Sequence, residues 1–569
     1  MQITINDRKY SSWEPQSERI TDPFAAKIFH EDEINEETLQ IIKSPTRENK
    51  SLAGVLILEN NKTYGRTPNK KKLYYICRPH NKHLPDFLVP YEPDIGFEKV
   101  FKNKFVLFQF DHWETTEKHP YGLLTETIGD IDNLPAYYKY QIYAKNLNVS
   151  NTQMKKYMKH VILDSKTIES KYMPEMENDK TRFGHIEDRV SAERNIFTID
   201  SEDCTDRDDA ISISQTTNPN VFHVHVYISN VWIWIEYFNL YSLLQNTNVS
   251  TIYMPDHPRH MLPTEFTEKI LSLNQNQTAY TMTMDFHVDI DKNIVEPIHQ
   301  TICQTKIRIH KNFAYESATL KKYPAYQVLL NVSKRLDPTI QDSHEVVAYW
   351  MIQMNSHVAK MMYSKQIGIY RSSISKNPQY TFDKMRVKNS ENMFLQIWEH
   401  AVSGKYIAYD KDLPHTQYAH SLLQLPIYTH FTSPMRRMVD LYNQFIWMSV
   451  YVSHINPKIH TIFDTETLEK LNKHTKVIRK IQNECTLLHQ IQQKSVDNTI
   501  YTSGIILNFE EDKKTKKTNI CIYIPEYKTV LITKNIETHH TEREKINIEI
   551  KVFEREENKE KKIRISKII

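Results

Sequence analysis

Residues Asn195–Ser214 read NIFTIDSEDCTDRDDAISIS, and the fold turns on how this stretch is understood. Ile196, Phe197 and Ile199 lead in with the pattern of a strand, and Ile211 and Ile213 lead out with another. The acids therefore occupy a loop at the end of a buried sheet. Six carboxylates stand there, Asp200, Glu202, Asp203, Asp206, Asp208 and Asp209. As crowded anions they repel one another, and each has a raised pKa unless cations neutralise the group. Hard oxygen donors in this number suit Mg²⁺, or Mn²⁺ in its place. Two such ions roughly 4 Å apart can activate water and stabilise a leaving oxygen in phosphodiester hydrolysis. An EF-hand does not fit: counted from Asp200, Thr205 stands where glycine is required and Ile211 where the bidentate glutamate belongs. The bland alternative is an exposed acidic turn.

Around this loop the chain mixes both periods. Val224, Val226 and Ile228 alternate with His225 and Tyr227 as in a half-buried strand, while Val346, Val347, Trp350, Met351, Met354, Val358, Met361 and Met362 share one helical face. Leu468, Leu471, Ile478, Ile481, Cys485 and Leu488 do the same along a second helix, with Asp464 or Thr465 available as N-cap. His223 and His225 have the spacing of strand ligands, but a pair without a third partner reads as a polar strand face.

Before residue 150 the runs Ala53–Leu58, Leu73–Cys77, Phe87–Val89 and Phe105–Phe110 predict strands of small barrels. After residue 496 five more runs, Ile500–Leu507, Asn519–Ile524, Thr529–Ile532, Ile546–Phe553 and Lys562–Ile568, predict an OB-type barrel. The lysine run Lys513–Lys517 sits at one of its hairpins, as a solvated turn or as an RNA contact. With 569 residues the chain has room for several such units.

The formal net charge is only +3, so any polyanion site must be a local groove. Cys77, Cys204, Cys303, Cys485 and Cys521 are odd in number and form no CxxC or Cys/His pattern, so no disulfides are expected. Charges in the first twenty residues exclude an apolar signal segment, and the greasiest run, Val221–Phe238, is broken by His223, His225, Asn230 and Glu236. The expectation is an intracellular, cytoplasmic protein without membrane association. Nothing in the sequence sets an oligomeric state.

The acidic stretch TIDSEDCTDRDDA resembles the catalytic signature of the ribonuclease II and ribonuclease R family of RNB exoribonucleases. A second block, YTHFTSPMRRMVDL at Tyr428–Leu441, resembles the family's other signature, and two such matches far apart in one chain are hard to obtain by chance. The resemblance implies metal-site acids at Asp200, Asp206, Asp208 and Asp209 and a catalytic arginine at Arg436, leaving Glu202 and Asp203 outside the set. Physically, Thr432 or Ser433 caps a helix with Pro434 in its first turn, so that Arg436 and Arg437 flank a helix N-terminus where a phosphate could dock. Pairing with a core carboxylate such as Asp440 is the alternative for Arg437. STIYMPDHPRHMLP at Ser250–Pro263 resembles the segment whose tyrosine, here Tyr253, holds the terminal nucleotide, and Glu484 in IQNECTLL matches a family glutamate near the site. Arg437 and Glu484 join Tyr253 and Arg436 as candidate RNA-binding residues.

LPDFLVPYE, FQFDHWETTEKHPYGLLTETIG and INIEIKVFEREENKEKKIRIS resemble the family's cold-shock and C-terminal OB domains. The expected fold is therefore an α+β catalytic domain flanked by OB-type β-barrels, two cold-shock-like at the N-terminal side and one RNA-binding at the C-terminal side. The expected boundaries are 1–85 and 86–150 for the barrels, 151–189 for a connector, 190–495 for the RNB domain and 496–569 for the last OB domain. In layout the chain resembles the eukaryotic exosome-type enzymes without an endonuclease domain, so no endonucleolytic activity is expected. The implied activity is 3′-to-5′ hydrolysis of single-stranded RNA to 5′-mononucleotides by a two-metal mechanism. The alternative is an RNA-binding pseudo-nuclease of the same fold. Two departures stand out: Asn230 where the family has aspartate, and Arg207 inside the acids. An extended backbone at 206–209 would point Arg207 away from Asp206 and Asp208.

Overall fold

The structure, a computed structural model, describes residues 1–569 apart from 16–19, 94–100, 150, 162–166, 191–193, 378–389, 401–403, 453–464, 496, 512–517, 535–539 and 556–558. The lysine run Lys513–Lys517 and the candidate cap Asp464 lie outside the described residues. Two compact units form, Met1–Asn148 with Met254–His257 and Val477–Ile569, and Val149–Tyr253 with Pro258–Lys476.

The second unit is built on an eight-stranded sheet. Its path runs Ile186–Asp188, Cys303–Arg308, Thr278–Asp289, Val221–Ser229, Asp209–Gln215, Phe197–Asp200, Lys311–Ala314, with Ile294–Pro297 added beside Thr278–Asp289. The alternation at Val224, Val226 and Ile228 buries all three, and Val226 pairs with Ile211 on one side and Met284 on the other. That register makes the two strands flanking the acids part of the core. Helix Ser343–Ser364, capped by the Asp342 carboxylate on the Glu345 amide at 2.9 Å, buries the expected face except Met351, which is half-buried. Helix Met438–Tyr451 is buried along most of its length.

The first unit holds two five-stranded antiparallel sheets. One runs Phe87–Tyr91, Leu73–Pro79, Leu52–Leu56, Lys104–Phe110, Gly122–Asp130, around a core that includes Phe29, Tyr75, Phe87 and Phe108. The other runs Thr529–Lys534, Thr518–Ile524, Thr499–Glu511, Lys545–Glu554, Lys561–Ile568, around Ile506, Ile522, Ile548 and Ile550. A methyl added at Gly504 would lie 2.5 Å from the Ile522 side chain, so close strand packing demands glycine there.

Three expected boundaries shift. The division at 85/86 falls inside a single sheet, because Leu73–Pro79 pairs with Phe87–Tyr91; ahead of Leu52 the described strands form only two-stranded pairs. The expected connector 151–189 ends in Ile186–Asp188, which pairs in parallel with Cys303–Arg308 and so belongs to the eight-stranded sheet. The boundary at 495/496 moves because helix Thr465–Lys494 sends Leu487 and Ile491 into the core of the last barrel. All five cysteines are free, and among the described residues no helix is long and apolar enough to cross a membrane.

Candidate active site

Strand Phe197–Asp200 delivers Asp200 to the sheet end, running parallel to Lys311–Ala314 and pairing Phe197 with Ile211. The chain leaves the sheet at Ser201 and returns at Asp209, opposite Ile228. The Asp208 carbonyl accepts from the Ser229 amide at 2.8 Å, which ties the returning loop to the next strand. Glu202 and Asp203 are exposed in this excursion, whereas Asp200, Asp206 and Asp209 are half-buried and Asp208 is buried.

Asp208 meets the second signature block directly. The Met435 amide donates to its Oδ1 at 3.0 Å and Arg436 Nε to its Oδ2 at 2.9 Å. The Arg436 side chain remains 41% exposed. The expected cap geometry differs here. Residues Pro434–Arg437 form a turn in which Ser433 O accepts from the amides of Arg436 and Arg437, and the helix begins only at Met438. The reason is Asp440, whose buried Oδ1 accepts from the Ser433 amide at 2.8 Å and from Arg437 Nη2 at 2.8 Å, folding the preceding turn back over the helix start. Arg437 is thus paired with Asp440 in the core, and Arg436 is the arginine that reaches the acids.

Backbone pairing brings Tyr253 to the same place. Thr251 N donates to Arg436 O at 3.0 Å and Met438 N to Val249 O at 2.9 Å, so the segment leading into strand Ile252–Tyr253 lies beside the arginines. Tyr253 ends that strand 46% exposed, and its phenol feels both Arg436 and the charges of Asp206 and Asp208. Glu484 belongs to the first unit; it is half exposed on helix Thr465–Lys494, 4.0 Å from Lys480 one turn away.

Three neighbours of the acids were not anticipated. His260 Nδ1 is 3.7 Å from Asp206 Oδ2, and the Cys204 thiol lies 3.8 Å from Asp200 Oδ1 and 3.7 Å from Asp206 Oδ1. Tyr315 stacks on His344 with ring centroids 3.7 Å apart and feels Asp209 and Asp200. No spacing rule links these residues, which come from separate loops. Arg207 is a correction: residues 206–208 are not part of a strand, and its guanidinium turns toward the acids, 3.7 Å from Asp200 Oδ2. Ser272 and Asn274 hold it there, accepting from its amide and from Nη1 at 3.1 Å each. Asn230 is accounted for by capping. Its Oδ1 accepts from the Ile233 amide at 3.2 Å at the start of helix Val231–Tyr237, and its Nδ2 donates to Gln304 Oε1 at 2.8 Å.

Burial dominates the electrostatics. It pushes the Asp208 carboxyl up to about 7 despite Arg436 and the Met435 amide, with Asp206 adding repulsion. Asp209 is raised well above the usual carboxylate range, first by burial and then by Asp200 and Asp208. Asp200 is raised by burial, with the Thr198 hydroxyl, Arg207 and Arg436 opposing. Its Oδ2 is buried with no hydrogen-bond partner among the described residues, Arg207 Nε standing off at 3.7 Å. Among the described residues no three His, Cys, Asp or Glu side chains stand in ready coordination geometry, and Asp208 is turned onto Arg436. A set of carboxylates forced toward the neutral form, one with an orphaned oxygen, is nevertheless the donor chemistry that suits a hard divalent cation.

Comparison with known proteins gives the same alignment of parts. The RNB domain model matches residues 189–320 and 318–452, and the Dis3-like cold-shock domain 2 model matches residues 74–140. Ribonuclease R of Mycoplasmopsis pulmonis is 24% identical over 315 residues, covering 43% of this chain and 42% of that protein. Protein SSD1 of Saccharomyces cerevisiae is 20% identical over 552 residues, covering 82% of this chain and 42% of that protein. The chain thus spans less than half the length of these two curated relatives. Among solved structures, apo RNase R of Mycoplasma genitalium superposes with a TM-score of 0.69 at 14% identity, covering 99% of each chain. Yeast Ssd1, described as a pseudonuclease, superposes with a TM-score of 0.58 at 15% identity, covering 87% of this chain and 66% of that one. The strand-borne acids, the arginine turn that meets them and these matches together identify residues 189–452 as an RNB domain, the domain this chain shares with the ribonuclease R relatives, with a Dis3-like cold-shock domain at residues 74–140 preceding it in sequence.

Proposed function

We propose that this protein is a magnesium-dependent 3′-to-5′ exoribonuclease that shortens single-stranded RNA one nucleotide at a time. The observation that carries the reading is the joining of the two signature blocks, Asp208 held by Arg436 and the Met435 amide within a set of buried acids. Asp200, Asp206, Asp208 and Asp209 would hold the divalent cations, which supply Lewis-acid activation of water and of the leaving oxygen when bound. Arg436, whose side chain is partly exposed, meets the scissile phosphate and balances its growing charge. Tyr253 offers a ring face to the terminal base, a contact that accepts any base and is worth ~1–3 kcal/mol. Burial of the acids limits water around the reacting phosphate and strengthens each charge interaction there. That RNase R of Mycoplasma genitalium was solved with single-stranded RNA supports RNA as the substrate.

A second reading has its own support. The likeness to Ssd1 favours an RNA-binding pseudo-nuclease, in which the fold is kept and cleavage lost. Against it stand the four aspartates, all present. One experiment separates the readings: 5′-labelled single-stranded RNA, and the matching DNA, incubated with the protein and Mg²⁺ or a chelator. A Mg²⁺-dependent shrinking ladder on RNA alone, lost in Asp208→Asn with RNA binding retained, is the expected result. Early release of labelled mononucleotide means the opposite polarity, equal cutting of DNA removes the sugar preference, and no cleavage by the wild type assigns the pseudo-nuclease reading.

A further inference from the structure

The first unit contains a cavity of 530 Å³ that the acid site does not use. Among the described residues its wall carries Arg8, Lys82, Lys145, Arg555 and Lys562, against Glu31 and Glu560 as acids. In a chain whose overall charge is nearly balanced, five cations around one concavity form a local positive field that favours an anion.

The wall is built rather than loosely assembled. Arg8 donates to the carbonyls of Pro79 at 2.8 Å and Leu84 at 3.0 Å and pairs with Asp86, fixing the loop that presents His80, Lys82 and His83. Lys145 Nζ approaches His80 Nε2 at 3.0 Å, a contact that exists only while the imidazole is neutral and lends its lone pair. Burial, reinforced by Lys145, pushes His80 down to about 4, and burial lowers Lys145 as well. Cationic groups therefore crowd here at a cost that a bound anion would relieve. Glu560 answers part of the field, pairing with Lys562 and Arg555 and attracting Lys145 as well, so one carboxylate is shared among three of the five lining cations.

A flat surface adjoins the cations. His30 and His83 stack with centroids 4.5 Å apart and planes inclined by 19°. His30 Nδ1 accepts from the Ile5 amide, which holds its ring in place. His83 Nδ1 is buried with no hydrogen-bond partner among the described residues. The volume falls in the range of roughly 300–1,000 Å³ that small-ligand sites occupy.

We propose that this cavity is a binding site for a phosphomonoester bearing a planar ring, a nucleoside 5′-monophosphate in class, with the phosphate on Lys145 and Lys82 and the ring against the His30–His83 pair. The site stands whether or not the acid cluster cleaves RNA. The test is calorimetric titration of the full chain, in chelator, with AMP, UMP, ribose 5-phosphate, inorganic phosphate and adenosine. Saturable binding of AMP is expected, with adenosine failing and inorganic phosphate weaker. Lys145→Gln and the exposed-site variant Lys82→Gln should each weaken AMP roughly tenfold or more, the loss of one charge-assisted hydrogen bond. His83→Ala should weaken AMP while leaving inorganic phosphate unchanged. The proposal is overturned by no saturable AMP binding, by adenosine binding as well as AMP, or by AMP affinity that Lys82→Gln and Lys145→Gln both leave intact. Affinity seen only with oligonucleotides and rising with their length also overturns it, making the cavity part of a strand track.

Discussion

At Asp208 two good hydrogen bonds fail to offset burial, and that imbalance is measurable. Its folded pKa, pushed up to about 7, exceeds the unfolded carboxylate value, so the stability it contributes is complete below the unfolded pKa and is lost as pH rises through 7. In chelator, Asp208→Asn should therefore be more stable than wild type above pH 7, by on the order of 3–4 kcal/mol, with the gap closing toward pH 4. A pH-independent difference between the two melting curves would count against a charged Asp208 in the folded protein. Asn230 gives a second case. Aspartate there could still cap helix Val231–Tyr237 but could not donate to Gln304, and would bring an unpaired charge into the core. Asn230→Asp should lower stability by ~1–3 kcal/mol while leaving Mg²⁺ binding unchanged, as chemical denaturation and calorimetry would read. Of these two residues, the acid was legible from its sequence block. The asparagine was legible only as a departure, because its partner Gln304 is distant in sequence.

The decisive elements are short. The turn Pro434–Arg437 and the segment Val249–Tyr253 pair through their backbones, which sets Arg436 and Tyr253 side by side. Asp440 anchors that turn with no exposed surface, and Arg437 is its cationic partner. Removing the guanidinium in Arg437→Met leaves a buried charge unpaired and should cost ~3–5 kcal/mol, with a large drop in Tm. A small effect would show that Arg437 serves ligand rather than fold. In the last barrel, Gly504→Ala drives a methyl into Ile522 and should cost ~1–3 kcal/mol, read in the same assay. Strand runs such as Val221–Ser229 were legible because the alternation of Val224, Val226 and Ile228 with His223 and His225 writes burial into sequence. The late helix start at Met438 was not, since Pro434 after Ser433 is a sound local signal that a buried carboxylate overrides.

For the molecule as a whole, a divalent cation that binds the folded acids should stabilise the chain by mass action. Mg²⁺ at 100-fold over its Kd adds ~2.7 kcal/mol, so Tm should rise with Mg²⁺ in the wild type and far less in Asp208→Asn. Equal shifts in both would place the bound ion elsewhere. The sequence by itself determined the class of architecture, the placing of the acids between two strands, the five strands of the last sheet and four of the five in the other, because alternation, helical faces and contiguous motifs are local properties. The boundary expected at 85/86 falls inside one sheet, and the ends of the expected units at 189 and 495 take part in a neighbouring sheet or core, because strand and core partners are chosen across long separations. Only the tertiary structure turned Arg207 onto Asp200, set His260 and Tyr315 beside the acids, and gathered five cations from distant segments around one cavity. Side-chain direction outside regular strands and the burial that shifts a carboxyl are set by neighbours remote in the chain, so the acidic stretch names the chemistry and the fold supplies its charge balance.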